Sequence, residues 1–164
     1  MTAEPVFGFA EPQFPPQVAL RLDPSLAGRP PLGAPIRPNT WSASGDRDAL
    51  WLGPDEWLVV GPPGGSAAGI VADLDRALDG VHRSVVDVSA NRAAIDLSGR
   101  DRLEVLSKGC GLDLDRRAWR EGMCAQTLLA RVPVLLQERH PGTRVFVRPS
   151  YLAYLTAWLD DASR

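Results

Sequence analysis

Asp87 and Asp96 stand at matching positions in the stretch VVDVSANRAAIDLSG. Two carboxylates on neighbouring strands can divide acid and base work between them. They can equally lie on the polar face of a sheet beside Arg92 or Arg144, and that is the preferred reading. Cys110 follows Lys108-Gly109, and an ammonium beside a thiol favours the nucleophilic thiolate. No histidine base is near it in sequence, so a buried structural cysteine is expected. His82 stands at a strand entrance and His140 in a Pro-Gly turn, and with Cys110 and Cys124 they lack metal-ligand spacing. Pro62-Pro63-Gly64-Gly65-Ser66 is glycine-rich ahead of a helix and can cradle an anion. Its prolines remove amide donors and no lysine follows, so a plain loop is expected. Asp55 and Glu56 read as turn residues, since aspartate bonds its own downstream backbone. No dinucleotide fingerprint or P-loop is present. The residues therefore nominate no catalytic, cofactor-binding or metal site.

The elements that would position such groups are legible from periodicity. Gln17–Leu22 predicts a strand, and Asp23–Asn39 a Pro/Gly-rich loop with at most a helical turn. Asp48–Gly53 and Trp57–Gly61 predict a hairpin around Gly53-Pro54-Asp55-Glu56; it barely alternates apolar with polar residues, so both faces need cover. Ser66 caps a helix over 68–78, where Ile70, Val71, Leu74, Ala77 and Leu78 make one stripe. Val86/Val88 and Ile95/Leu97 predict a strand pair turning at Ser89-Ala90-Asn91. Ser98-Gly99-Arg100-Asp101 resembles a capping box for a short helix that Gly109 stops. Met123–Ala130 and Val132–Glu138 predict strands, broken or bulged at Pro133. Pro141-Gly142 suits a type II turn with glycine at positive φ, before a returning strand over Thr143–Arg148. Ser150 caps a last helix, Tyr151–Asp161. Antiparallel strands followed by helices imply an α+β layer arrangement with a ferredoxin-like pseudo-repeat.

Bulk properties narrow the function classes. The 164 residues carry a net charge of −2, which provides no basic field for nucleic acid or acidic lipid. Only two cysteines occur and the N-terminus lacks a secretory pattern, so reduced thiols and a cytoplasmic location are expected. No apolar run approaches the roughly 20 residues a membrane span needs.

Hydrophobic surface is the unusual feature. The first 38 residues hold nine of the 15 prolines and three of the four phenylalanines, Phe7, Phe9 and Phe14. Proline fixes φ and removes donors, so residues 1–16 form an extended arm ahead of one domain over 17–164. Its rings lie either on the chain's own domain or on another chain. In the last helix Leu152, Leu155 and Leu159 suffice to cover a sheet. Tyr151, Tyr154 and Trp158 point elsewhere, as at a contact surface or beneath the arm.

The stretch VDVSANR followed by AAIDLSGRDRLEVLSKG resembles the folate-binding domain of aminomethyltransferases. LWLGPDEWLVV, VVDVSANRAAIDLSG, LSKGCGLDLDRRAW, GMCAQTLLARVPVLL and YLAYLTAWL together resemble the gamma subunit family of heterotetrameric sarcosine oxidase, over about Gln17–Asp161. That resemblance implies the folate-binding-domain fold and a non-catalytic subunit supporting a complex with alpha, beta and delta partners. Such a complex oxidatively demethylates sarcosine to glycine, giving hydrogen peroxide and formaldehyde, or methylenetetrahydrofolate. FAD, FMN, NAD and tetrahydrofolate are then implied in the partner subunits and none in this chain. Arg148-Pro149-Ser150 departs from the small polar residues that aminomethyltransferases place between last strand and helix. Lys108-Gly109-Cys110 matches three letters of the signature of folate-dependent iron–sulfur assembly proteins, so a stand-alone folate-binding transferase or assembly protein is the alternative. Under the subunit reading, Phe7, Phe9, Trp51, Trp57, Tyr154 and Trp158 are the candidate interface residues, covered partly within the chain and partly by larger flavoenzyme subunits.

Overall fold

The computed structural model describes residues 6–25 and 33–164. The middle of the expected loop after Asp23 and the first five residues of the expected arm lie outside them. The chain divides into two compact units, Phe14–Ala90 and Met1–Gln13 with Asn91–Arg164. Each unit is a five-stranded antiparallel sheet, one carrying a single α-helix and the other two among the described residues, the α+β layering that the sequence implied.

In the Phe14–Ala90 unit the strands are β2 (Gln17–Leu22), β3 (Trp41–Ser44), β4 (Arg47–Gly53), β5 (Glu56–Val60) and β6 (Arg83–Asp87), in the order β3-β4-β5-β2-β6. Helix α1 (Ala67–Ala77) begins where Ser66 Oγ accepts the Gly69 amide at 3.3 Å. Ile70 and Leu74 of its apolar stripe are buried against Val18, Leu20 and Trp57. The β4–β5 hairpin has little alternation because it is covered on both faces. Trp51 and Trp57 are cross-strand partners, as are Leu50 and Leu58; Trp57 is 1% exposed, and Leu50 and Leu58 are fully buried.

The other unit is built from β1 (Gly8–Phe9), β7 (Ala93–Ser98), β8 (Cys124–Leu129), β9 (Val132–Glu138) and β10 (Thr143–Val147), ordered β1-β7-β10-β9-β8. Helices α2 (Arg102–Ser107) and α3 (Leu152–Ala162) supply Leu103, Val105, Leu106, Leu155 and Leu159 to a core shared with Ile95, Leu97, Val134, Leu136, Val145 and Val147. The two sheets repeat one strand order, as the expected pseudo-repeat requires: β3-β4-β5-β2 and β8-β9-β10-β7 each set a three-strand meander beside the strand that precedes it, with β6 and β1 as the outer fifth strands.

Several local expectations give way to tertiary pairing. Strands β6 and β7 are not a hairpin: β6 pairs with β2, and β7 pairs with β10 and β1. The intervening Asp87-Val88-Ser89 is a tie. Asp87 Oδ1 accepts the Ser89 amide (2.9 Å) and hydroxyl (2.6 Å), while Ser89 Oγ accepts the Gln17 amide (3.0 Å), fastening the end of β6 to the start of β2. Ser98 caps no helix, since it ends β7 opposite Gly8; α2 starts after Asp101 without a side-chain cap. Ser150 likewise lies inside a 3-10 turn, Pro149–Tyr151, that feeds directly into α3. Strand β9 runs through Pro133 unbroken, because its ladder with β10 begins only at Val134 and the missing amide leaves no partner unmet. The His140–Pro141 peptide is cis, and Gly142 is not at positive φ. Glycine is required there by space, as a Cβ would sit 2.2 Å from the Leu97 carbonyl oxygen.

Candidate interaction surface

Helix α3 separates its two stripes as its sequence implied. Leu155 and Leu159 are fully buried and Leu152 partly, while Tyr151 and Tyr154 are exposed and Trp158 is half-buried. Tyr154 is 52% exposed, yet its hydroxyl is fixed, donating to the Ala130 carbonyl at 3.0 Å. Ala130 and Arg131 are the two loop residues of the β8–β9 hairpin, with φ of 50° and 69°. A two-residue type I′ turn demands positive φ at both positions, which Asn-Gly normally supplies. For ordinary L-residues that conformation costs about 1–2 kcal/mol each, so the turn must be held from outside. Tyr154 holds the Ala130 carbonyl, and the Gly109 carbonyl accepts the Ala130 amide at 2.9 Å.

The Lys108-Gly109-Cys110 segment completes this corner. Gly109 has no side chain because Trp158 occupies the space: a Cβ there would lie 2.5 Å from its Cζ2. The Lys108 ammonium donates to the Ala162 carbonyl at 2.5 Å, at the C-terminal end of α3 where a cation is favoured. Cys110 is buried, 9% exposed, and its sulfur meets the Thr127 hydroxyl at 3.9 Å. Between these groups lies a cleft of about 420 Å³ lined by Lys108, Gly109, Cys110, Arg131, Tyr154 and Trp158.

The other aromatics fall elsewhere. The Phe7 and Phe9 rings meet in a tilted pair, centroids 6.2 Å apart and planes at 51°, and pack on the core of their own unit. The arm is tied along the edge of β7 by Asp101 N–H to Val6 O, Ala10 N–H to Asp96 O and Gln13 N–H to Ala94 O. It therefore lies at the sheet edge opposite β8, where Tyr154 and Trp158 sit. Trp51 is half-buried against the core of the Phe14–Ala90 unit. Trp57 belongs inside that core, with its indole N–H donated to the Pro35 carbonyl at 2.7 Å, and presents no surface. The six aromatics do not form one patch.

The charged candidates are structural. Asp87 and Asp96 stand on strands of different sheets rather than on paired neighbours, and each carboxylate is engaged locally, by Ser89 and by Arg144 respectively. Burial pushes the Asp96 carboxyl up, but a two-pronged contact with Arg144 (2.7 and 2.8 Å), aided by the charge of Arg139, outweighs it and leaves the pKa below its usual value. The hydroxyl and amide of Ser89 lower that of Asp87. Among the described residues no three His, Cys, Asp or Glu side chains converge on a metal position, and no helix is long and apolar enough to cross a membrane. One cluster escaped sequence reading. The buried Glu138 carboxylate accepts from Arg102, from Trp119 Nε1 (3.0 Å) and from the Thr143 hydroxyl. Arg102 and Glu138 are 36 residues apart, so no local pattern announces them. Trp119, in the distinctive GLDLDRRAW segment, is thereby a core residue.

The comparisons with known proteins agree with this picture. The family model described as "Sarcosine oxidase, gamma subunit family" matches residues 30–164. The sarcosine oxidase gamma subunit of Arthrobacter sp. is 36% identical over 157 residues, 91% of this chain and 76% of that protein. That of Corynebacterium sp. strain P-1 is 40% identical over 114 residues, 69% of this chain and 55% of the relative. Among solved structures, a chain of heterotetrameric sarcosine oxidase from Corynebacterium sp. U-96, in complex with pyrrole 2-carboxylate, superposes with a TM-score of 0.84 at 31% identity. The match covers 96% of this chain and 83% of that one. Aminomethyltransferase T of the glycine cleavage system from Bartonella henselae matches with a TM-score of 0.71 at 13% identity, over 94% of this chain and 45% of that one, and shares the fold. Matched by the family model over residues 30–164 and by the Arthrobacter relative over 91% of its length, the chain belongs to the sarcosine oxidase gamma subunit family.

Proposed function

We propose that this chain is the gamma subunit of a cytoplasmic heterotetrameric sarcosine oxidase and that it works by holding partner subunits. The observation that carries the reading is the likeness, along 96% of the chain, to a chain of heterotetrameric sarcosine oxidase. Alpha, beta and delta subunits are then its partners. FAD, FMN, NAD and tetrahydrofolate belong to those partners, and the assembled complex converts sarcosine to glycine. Phe7, Phe9, Trp51, Tyr154 and Trp158 remain the candidate contact residues, since each keeps accessible surface; tyrosine and tryptophan dominate the energetics of protein interfaces.

The test is co-expression with the cognate alpha, beta and delta subunits, followed by size-exclusion chromatography and tetrahydrofolate titration of the separately purified chain. The expected result is stoichiometric co-elution, with the lone chain binding hydrophobic dye and no folate. Tight stoichiometric folate binding, with turnover of a one-carbon substrate by the lone chain, would instead establish the stand-alone transferase reading.

A further inference from the structure

We propose that the cleft at the Ala130–Arg131 turn docks an acidic segment of a partner subunit, with a carboxylate on Arg131 and an apolar side chain on the Tyr154 ring. This rests on the subunit reading and names the chemistry that one of its surfaces takes.

Three features of the cleft are independent of one another. The first is strain. Arg131 is exposed at φ 69°, where glycine would be more stable, so the side chain is kept against the local preference of the backbone. Residues held in such conformations cluster at binding and switch sites. The second is rigidity. Tyr154 is half-exposed while its hydroxyl is pinned to the very turn that carries Arg131. An aromatic ordered before binding loses little freedom on contact. The third is charge. The charged groups lining the cleft are Lys108 and Arg131, and no carboxylate is among them. Lys108 is engaged with the Ala162 carbonyl, whereas Arg131 has no carboxylate partner among the described residues. An arginine so placed matches a carboxylate through two parallel hydrogen bonds.

The occupant follows from that combination. A wholly apolar segment would bury the guanidinium without a counter-charge, which is strongly unfavourable. A free inorganic anion would leave the Tyr154 and Trp158 surfaces wet. A protein segment bearing aspartate or glutamate next to an apolar residue satisfies both.

The experiment uses the co-expressed complex with Arg131→Gly, Arg131→Glu and Arg131→Lys in this chain, and measures subunit affinity at about 50 mM and about 500 mM salt. The expected result is a loss of about tenfold for Arg131→Gly and a larger loss for Arg131→Glu, with both differences shrinking at high salt, and a smaller loss for Arg131→Lys, which keeps the charge and loses the two-pronged hydrogen bonding. Arg131→Gly should at the same time raise the melting temperature of the isolated chain, because it relieves the left-handed backbone. Weaker assembly from a more stable chain separates docking from a merely structural role. Wild-type-like affinity for Arg131→Gly and Arg131→Glu at both salts overturns the docking site while leaving the subunit reading intact. Failure of the wild-type chain to assemble at all removes both.

Discussion

Replacing Gly109 with alanine sets two physical effects against each other. Gly109 is not among the glycines at positive φ. On backbone grounds alone, alanine should therefore stabilise the chain by about 0.4–1 kcal/mol through a less flexible unfolded state. Space predicts the reverse. The new Cβ would lie 2.5 Å from Trp158 Cζ2, 2.9 Å from Cη2 and 3.1 Å from the Ala130 amide nitrogen. Carbon atoms prefer at least about 3.5 Å, so the indole must retreat by about 1 Å or the turn must move. Retreat separates Trp158 from the core it packs against, and movement strains the Ala130–Gly109 hydrogen bond. Overpacking of this kind costs about 1–3 kcal/mol and outweighs the backbone gain. For a net loss of about 1–2 kcal/mol, the urea midpoint should fall by roughly 0.5–1 M at an m-value of about 2 kcal/mol/M. The check is equilibrium unfolding of the wild type, Gly109→Ala, Trp158→Leu and the double variant. Trp158→Leu frees the space, so the two substitutions should couple by at least about 1 kcal/mol, with Gly109→Ala neutral or stabilising when Trp158→Leu is already present. A higher midpoint for Gly109→Ala alone, or strict additivity, would falsify the placement of Trp158 over Gly109.

Glu138→Ala should destabilise the chain by about 3–5 kcal/mol, because the buried Arg102 charge, Trp119 N–H and Thr143 hydroxyl lose their acceptor; Arg102→Met with Glu138→Leu should recover much of that loss in the same urea assay. Asp96 has a folded pKa below the ordinary value of 3.8, so its stabilising contribution is present above about pH 4 and fades as pH falls through the lower folded value. Asp96→Asn should flatten the dependence of melting temperature on pH between about 5 and 3, modestly, since the carboxylate is half-exposed and the pair is screened. Asp73 and Asp87 are lowered in the same direction, by the Arg47 and Arg76 guanidinia and by Ser89 respectively, so a residual slope is expected in that variant.

Much of the architecture could be read along the chain because its causes are local. Ser66 followed by an apolar stripe made α1, and the doubly apolar hairpin of Trp51 and Trp57 required cover on both faces and has it. The leucine stripe of α3 found the core and Tyr154 stayed exposed, as 3.6-residue periodicity dictates, whereas Trp158 packs at the edge of that core over Gly109. The candidate surface was legible only in part. Residue type marks a ring as apolar, but whether it is spent in a core depends on what the fold brings against it. Trp57 and Trp51 look alike in sequence, yet one is enclosed and the other half-open.

What the sequence by itself determined was the α+β class, the helix faces, most strands and the surplus of aromatic surface, because side-chain period and turn chemistry act over a few residues. Strand partners, the assignment of Asp87 and Asp96 to different sheets, the Glu138 cluster and the corner joining Lys108–Cys110 to Ala130, Arg131, Tyr154 and Trp158 were decided only by the tertiary structure. Those contacts link residues far apart in the chain, and their geometry is set by how sheet edges and helices meet, which no local pattern encodes.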